Sequence, residues 1–248
     1  MSSQVNPALH GQARREAVGI LARLRREYEV CAKVWTFDRL SLHFVQITDP
    51  DHVLDQVAAE EDRLEKTSGR RAEADQLHLP YWAELWDSSV GLGQLLVRRL
   101  HNHAAVSVLD LGCGMGLAGT VAARLGMRVM FADLEPPALL FARLNSLPDA
   151  ERVRTRRLNW QTDRLDERFD LILGADILYE RKQWDFLEPF WRAHLAAGGT
   201  VLLGEPGRQT GDLFLDWIRP RGWELIQHVE TVTTRPTPIR LFELWPQS

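Results

Sequence analysis

Residues 106–133, VSVLDLGCGMGLAGTVAARLGMRVMFAD, constrain the fold more than any other stretch of this chain. An apolar run holding Val106, Val108, Leu109 and Leu111 carries one acid, Asp110, and then breaks into glycines at positions 112, 114, 116 and 119. A helical segment follows, and a second apolar run over 129–132 closes on Asp133. The pattern predicts a strand, a tight turn, a helix and a second strand with a carboxylate at its end. Glycines permit a turn closed to larger residues and let a ligand approach the main chain. A carboxylate about 20 residues beyond such a turn is placed to hydrogen-bond a ribose. The chain is expected to bind a nucleoside-containing cofactor.

Two cofactors compete for the turn. Gly114-Met-Gly-Leu-Ala-Gly119 fits the G-x-G-x-x-G fingerprint of an NAD-dependent oxidoreductase, which sets a pyrophosphate on the helix N-terminus. Read from Asp110 instead, Asp110-Leu-Gly-Cys-Gly-Met-Gly116 resembles motif I of the class I S-adenosylmethionine methyltransferases. S-adenosylmethionine has no phosphate and carries an ammonium and a sulfonium. A carboxylate beside the turn attracts those charges and repels a pyrophosphate. Asp110 therefore favours S-adenosylmethionine, and the NAD enzyme is the rival. Cys113 reads as a small side chain tolerated in a crowded turn rather than as a nucleophile.

A chain of 248 residues holds one α/β domain with an appendage. Its net charge of −4 lacks the basic footprint of a nucleic-acid binder. Two cysteines, Cys31 and Cys113, do not make a disulfide scaffold and fit a reducing compartment. No apolar run approaches the ~20 residues of a membrane span, and the first residues lack an apolar signal core. A cytoplasmic location is expected.

Leu9, Ala13, Ala17, Leu21, Leu24 and Tyr28 recur at helical spacing and predict an amphipathic helix over 8–30. Arg14, Arg15, Arg23, Arg25 and Arg26 on its other face read as a solvated surface. Two β-like runs, 33–37 and 42–47, end in the turn signal Thr48-Asp-Pro-Asp51. An acidic helix follows, with Val53, Leu54, Val57, Ala58 and Leu64 on one side, and the polar residues 66–78 read as a linker. The expected division is an appendage over 1–75 and a catalytic domain over 76–248. In the latter, strands at 106–111, 128–133, 153–158, 169–175 and 200–204 alternate with helices at 90–100, 117–126, 137–147, 182–196 and 211–219. Such alternation predicts a doubly wound parallel sheet. Runs at 223–232 and 239–245 predict a hairpin-like pair at its edge. Arg152, Arg154 and Arg156 alternate along one strand and read as a charged, exposed edge.

Ligands of open α/β sheets bind beyond the carboxyl ends of the strands. Asp110, Asp133, Trp160 and Asp176 all fall at that rim. Upstream, Tyr81, Trp82 and Trp86 precede a helix beginning near Asp87 or Ser88, and aromatic faces attract a sulfonium or an adenine. The eight histidines show no zinc spacing.

Trp86-Asp87 before the first core helix, the motif I turn, Leu158-Asn-Trp160 and Ala175-Asp-Ile-Leu-Tyr179 together resemble methyltransferase family 16. These small seven-strand enzymes mostly methylate lysines of particular proteins. The resemblance covers about residues 79–205. It implies a Rossmann-like seven-stranded sheet ending in an antiparallel pair, and S-adenosylmethionine as cofactor. It further implies cofactor contacts by Trp86, the backbone of Gly112, Cys113 and Gly114, Asp133 at the ribose, Trp160 beside the adenine, and Ala175, with Asp110 and Leu134 as further candidate cofactor residues. The family's Asp-x-x-Tyr hallmark falls on Asp176 and Tyr179, which the resemblance places at the acceptor mouth. One position departs: the family often carries Asp where this chain has Asn159.

A lysine with its ordinary pKa near 10.4 is protonated at neutral pH, so a transferase must hold the neutral amine and orient its N–H groups. Asp176 is the candidate acceptor of those N–H groups, and Tyr179 an aromatic wall; a helix-capping Asp176 over a packed Tyr179 is the structural alternative. A protein lysine is the expected substrate, with a small amine or pyridine as the rival acceptor. An open acidic groove over Asp176 would favour the protein, and an enclosed apolar pocket the small molecule.

Overall fold

A computed structural model describes residues 4–68, 79–99 and 105–247. Among these, nine strands form two sheets. The larger sheet has the order β5-β4-β3-β6-β7-β9-β8, where β3 is Ser107–Leu111, β4 Arg128–Asp133, β5 Val153–Arg157, β6 Phe169–Ala175, β7 Leu195–Glu205, β8 Trp223–Glu230 and β9 Ile239–Pro246. Strands β3 to β7 pair in parallel, and β9 runs antiparallel to both β7 and β8. The expected doubly wound sheet and its closing antiparallel pair are both present.

Its central strands are apolar on both faces because helices cover both faces. Val108, Leu109 and Leu111 of β3 are fully buried, as are Ile172 and Leu173 of β6. One face packs on α3 (Asp87–Arg99), α4 (Leu117–Arg124) and α5 (Pro136–Ser146). The other packs on α6 (Trp184–His194) and α7 (Gln209–Ile218), through Trp184, Trp191, Phe214 and Phe242. Chain order reverses between β3 and β6, where an open α/β sheet leaves its ligand crevice.

The preceding residues form α1 (Gly11–Leu24), an antiparallel hairpin of β1 (Val30–Phe37) and β2 (Leu40–Ile47), and α2 (Pro50–Ser68). The helix expected over 8–30 is shorter, because residues from Val30 onward pair with β2 instead. Asp38 turns the hairpin with φ +50, a conformation Asp tolerates better than most residues. Phe37, Phe44 and Val45 share one buried cluster with Val108, Val121 and Phe141. Gly93 on α3 leaves room for this packing, since a Cβ there would lie 2.7 Å from the Phe37 ring. Asn145 ties the hairpin down: its Oδ1 accepts the Val45 N–H at 2.7 Å, and its Nδ2 donates to the carbonyls of Val45 at 3.0 Å and Met115 at 3.1 Å. Of the linker expected over 66–78, residues 66–68 extend α2 and the remainder lies outside the described residues, as do the side chain of Leu64 and residues 100–104. No described helix is long and apolar enough to cross a membrane.

Candidate active site

The glycine turn is held from below by two carboxylates. Asp110, buried in β3, accepts the Gly119 N–H at the start of α4 at 2.9 Å. Asp133, at the end of β4, accepts the N–H groups of Gly114 at 2.9 Å and Glu135 at 3.0 Å. The turn must stay glycine at Gly116, where φ is +83 and a Cβ would sit 2.7 Å from that of Ala142. Burial pushes Asp110 up to about 7, against the Gly119 hydrogen bond, with repulsion from Asp133 adding to the rise. Burial likewise raises Asp133 to about 6, opposed by the Glu135 and Gly114 N–H groups. Burial and the same two acids push the Cys113 thiol well above its ordinary value, as expected of an inert side chain.

The N–H groups of the turn separate the rival cofactors. Gly112 and Cys113 donate to the Ala132 carbonyl, Gly116 donates to Cys113, and Gly114 and Gly119 are taken by the two acids. A pyrophosphate needs free N–H donors at this turn, and these five are committed within the protein. Behind the turn stand two buried carboxylates, which in their ionised form stabilise positive charge. Those acids suit the ammonium and sulfonium of S-adenosylmethionine better than the pyrophosphate of NAD.

The other expected cofactor residues lie around the turn, except Trp86. The Trp160 ring lies against the turn, 3.4 Å from where a Gly112 Cβ would be, and its Nε1 donates to Gln183 Oε1 at 3.0 Å. Leu134 is half-buried beside Asp133, and its carbonyl accepts Arg157 Nε at 3.0 Å. Ala175, also half-buried, ends β6. Trp86 lies further out: its Nε1 donates to the Tyr81 carbonyl at 2.9 Å, and its ring faces the Arg208 guanidinium at 5.4 Å, on the acceptor side. Trp82 is a core residue, edge-on to Tyr28 at 5.3 Å.

Asp176 follows β6 with φ +56, its carboxylate buried and its backbone N–H bonded to the Gly204 carbonyl. One oxygen, Oδ1, pairs with Arg208; the other, Oδ2, is buried and has no hydrogen-bond partner among the described residues. Burial raises this carboxyl to about 6 even with the Arg208 cation pulling it down. It faces a cavity of about 310 Å³ lined by Glu84, Trp86, Asp87, Arg208 and Arg235 together with Pro206 and Gly207. Tyr179, 43% exposed, is T-stacked on Tyr81 at 5.5 Å, and Tyr81 in turn meets the cavity residue Trp86 at 6.3 Å. Burial and Glu180 push the Tyr179 phenol up to about 12, so it stays protonated.

Arg208, Glu205 and Arg240 were not anticipated. Glu205, buried at the end of β7, accepts the N–H groups of Gly207 and Arg208 and pairs with Arg240. The rule that drew attention to Asp110, Asp133 and Asp176, an acid closing an apolar strand, applies equally to Glu205.

Comparison with known proteins agrees with this geometry. The profile of the family described as lysine methyltransferase matches residues 73–217. The electron transfer flavoprotein beta subunit lysine methyltransferase of Danio rerio is 37% identical over 140 residues, 52% of this chain and 51% of that one. The protein N-lysine methyltransferase METTL21A of Xenopus tropicalis is 37% identical over 129 residues, 49% of this chain and 58% of its own length. The EEF1A lysine methyltransferase 3 of Mus musculus is 30% identical over 173 residues, 66% of this chain and 74% of that protein. The chain thus spans about half the length of the first two relatives. Among solved structures, the glycopeptide N-methyltransferase MtfA complexed with S-adenosyl-L-homocysteine superposes with a TM-score of 0.56 at 16% identity, over 75% of this chain and 96% of that one. A ribosomal protein L11 methylase from Lactobacillus delbrueckii subsp. bulgaricus gives 0.53 at 19% identity, over 64% and 79%. Those two likenesses concern the fold, whereas the profile match spans the turn, the strand-end acids and the Asp176–Tyr179 pair alike. The chain belongs to the lysine methyltransferase family.

Proposed function

We propose that this protein transfers a methyl group from S-adenosylmethionine to a lysine side chain of another protein. The observation that carries the reading is the buried, unpartnered Oδ2 atom of Asp176, a residue that lines a cavity together with Glu84, Asp87, Arg208 and Arg235. A buried carboxylate oxygen with no donor is costly unless a ligand supplies one. An amine N–H is such a donor.

Residues in and around the glycine turn would hold the cofactor: Asp133 and Leu134 at the ribose, Trp160 against the adenine, and the turn 112–114 with Ala175 along its length. Asp110 would supply field rather than contact, since its carboxylate is turned into the α4 N-terminus. Bound there, S-adenosylmethionine supplies a methyl carbon activated by its positive sulfur. Asp176 would accept an N–H of the acceptor nitrogen and so fix the direction of its lone pair, which is how alignment lowers such a barrier. Tyr179, Tyr81 and Trp86 form an aromatic wall along the lysine's path, with Glu84 and Asp87 as an acidic entrance.

The character of this cavity supports a protein acceptor over a small pyridine or amine. Glu84, Asp87, Arg208 and Arg235 line it, and Glu84 and Gly207 are exposed. Methyl-labelled S-adenosylmethionine, incubated with the purified protein and a cell lysate, would test the reading. Label in a discrete protease-sensitive band that hydrolyses to methyl-lysine is expected. Label confined to small molecules would replace the protein with a small amine acceptor. We also propose a cytoplasmic location, supported by Cys31 and Cys113, which are both free thiols.

A further inference from the structure

The Pro206–Arg208 loop is fixed at both ends in a way a solvated surface arginine is not. Glu205 and Arg240 are cross-strand partners on β7 and β9. Glu205 takes the backbone N–H of Arg208, and Arg240 donates to the Arg208 carbonyl at 2.8 Å while holding Glu205 through Nε at 2.7 Å. The guanidinium then reaches back over the Trp86 ring to Oδ1 of Asp176. An ion pair with a buried carboxylate and a part-exposed guanidinium thereby spans two strand ends, anchored in backbone at one side and in an aromatic face at the other.

We propose that Arg208 is a positioning residue of the acceptor site, binding Oδ1 of Asp176 so that Oδ2 alone is left to take an N–H from the incoming amine. The inference rests on the lysine reading above. Its physical content is twofold. A carboxylate with both oxygens free rotates and accepts from water, whereas one clamped by a guanidinium presents a single directed lone pair. The fixed positive charge also offsets the attraction of Asp176 for an ammonium, so the site accepts the neutral amine more readily. The other charged or titratable groups facing Asp176 are Glu205 behind the loop, Glu84 across the cavity and Tyr179 on its own segment. Asp87 and Arg235 complete the lining of the same cavity.

The test needs no acceptor in its first half. The Asp176 carboxyl is followed by carbon-detected NMR titration of the purified protein, identified by its absence in Asp176→Asn. In Arg208→Gln its midpoint, about 6 in the native protein, should rise by about one pH unit or more, because an opposing charge is lost. Arg208→Lys keeps a cation and should leave the midpoint near the native one. In the second half, the same variants methylate the labelled lysate band. Arg208→Gln should lose kcat with cofactor affinity unchanged and shift the acid limb of its pH profile upward, and Arg208→Lys should restore part of both. An unmoved Asp176 midpoint overturns the proposal. So does an Arg208→Gln enzyme that methylates the band as fast as the native one or faster, since the guanidinium would then be a plug that the substrate displaces. If native protein labels no band, the lysine reading fails, and the titration still decides whether Arg208 holds Asp176.

Discussion

At the scale of the residue, Asp176 combines two features that pull against each other. A left-handed backbone is costly for most side chains, by ~1–2 kcal/mol, but Asp and Asn bond locally and tolerate it. A buried carboxylate with one empty oxygen is costly for any protein. Both are kept in one residue at the rim of the sheet, which supports the role proposed for Asp176. Asp176→Asn is therefore the informative variant, because it preserves the φ of +56. Methyl transfer should fall by about two orders of magnitude or more. Calorimetric affinity for S-adenosylmethionine should change little. Lost cofactor binding in a folded Asn variant would instead make Asp176 a cofactor contact.

At the scale of the element, the N-terminal hairpin is tied to the cofactor turn by one side chain. Asn145 satisfies Val45 on β2 and the Met115 carbonyl within the turn. Replacing it with Leu keeps the volume and strands three buried polar groups. The expected cost is about 2–3 kcal/mol, a Tm lower by on the order of 10 °C for a chain this size. Cofactor affinity should fall with it, because Met115 lies between the glycines of the turn. A lowered Tm with unchanged affinity would confine Asn145 to holding the hairpin. Elements of this kind also mark where sequence reasoning stops. The strands β3, β4 and β6 were legible because burial on both faces leaves mostly apolar runs that carry or end on an acid. Asn145 meets Val45 across 100 residues, and Arg208 meets Asp176 across 32, through a loop whose course depends on β9 inserting beside β7. Nothing local announces either contact. The shortened α1 has the same cause: helical periodicity continues to Tyr28, but cross-strand pairing with β2 claims the chain from Val30.

At the scale of the molecule, Asp110, Asp133 and Asp176 gather at one rim with carboxyls raised to about 7, 6 and 6 by burial. The consequence for stability has a definite sign. An acid whose folded pKa lies above its unfolded value, here 3.8, binds more protons in the native state between the two. Stability from these groups therefore falls as pH rises from about 4 to about 7 and stays low above that. For Asp110 the loss is on the order of a few kcal/mol. Asp110→Asn removes that titration while its Oδ1 can still accept the Gly119 N–H. Its Tm should exceed the native one by more at pH 8 than at pH 5. A cationic cofactor reverses the balance by stabilising the ionised acids. Native affinity for S-adenosylmethionine should then weaken as pH drops from 8 to 5, with proton release on binding visible as a buffer-dependent heat. In Asp110→Asn the affinity should be lower and its pH dependence shallower. A pH-independent affinity in the native protein would mean that the strand-end acids shape the turn without attracting the ligand's charge. The expected gradient would mean instead that the fold gives up stability at the rim to build a site for a cation.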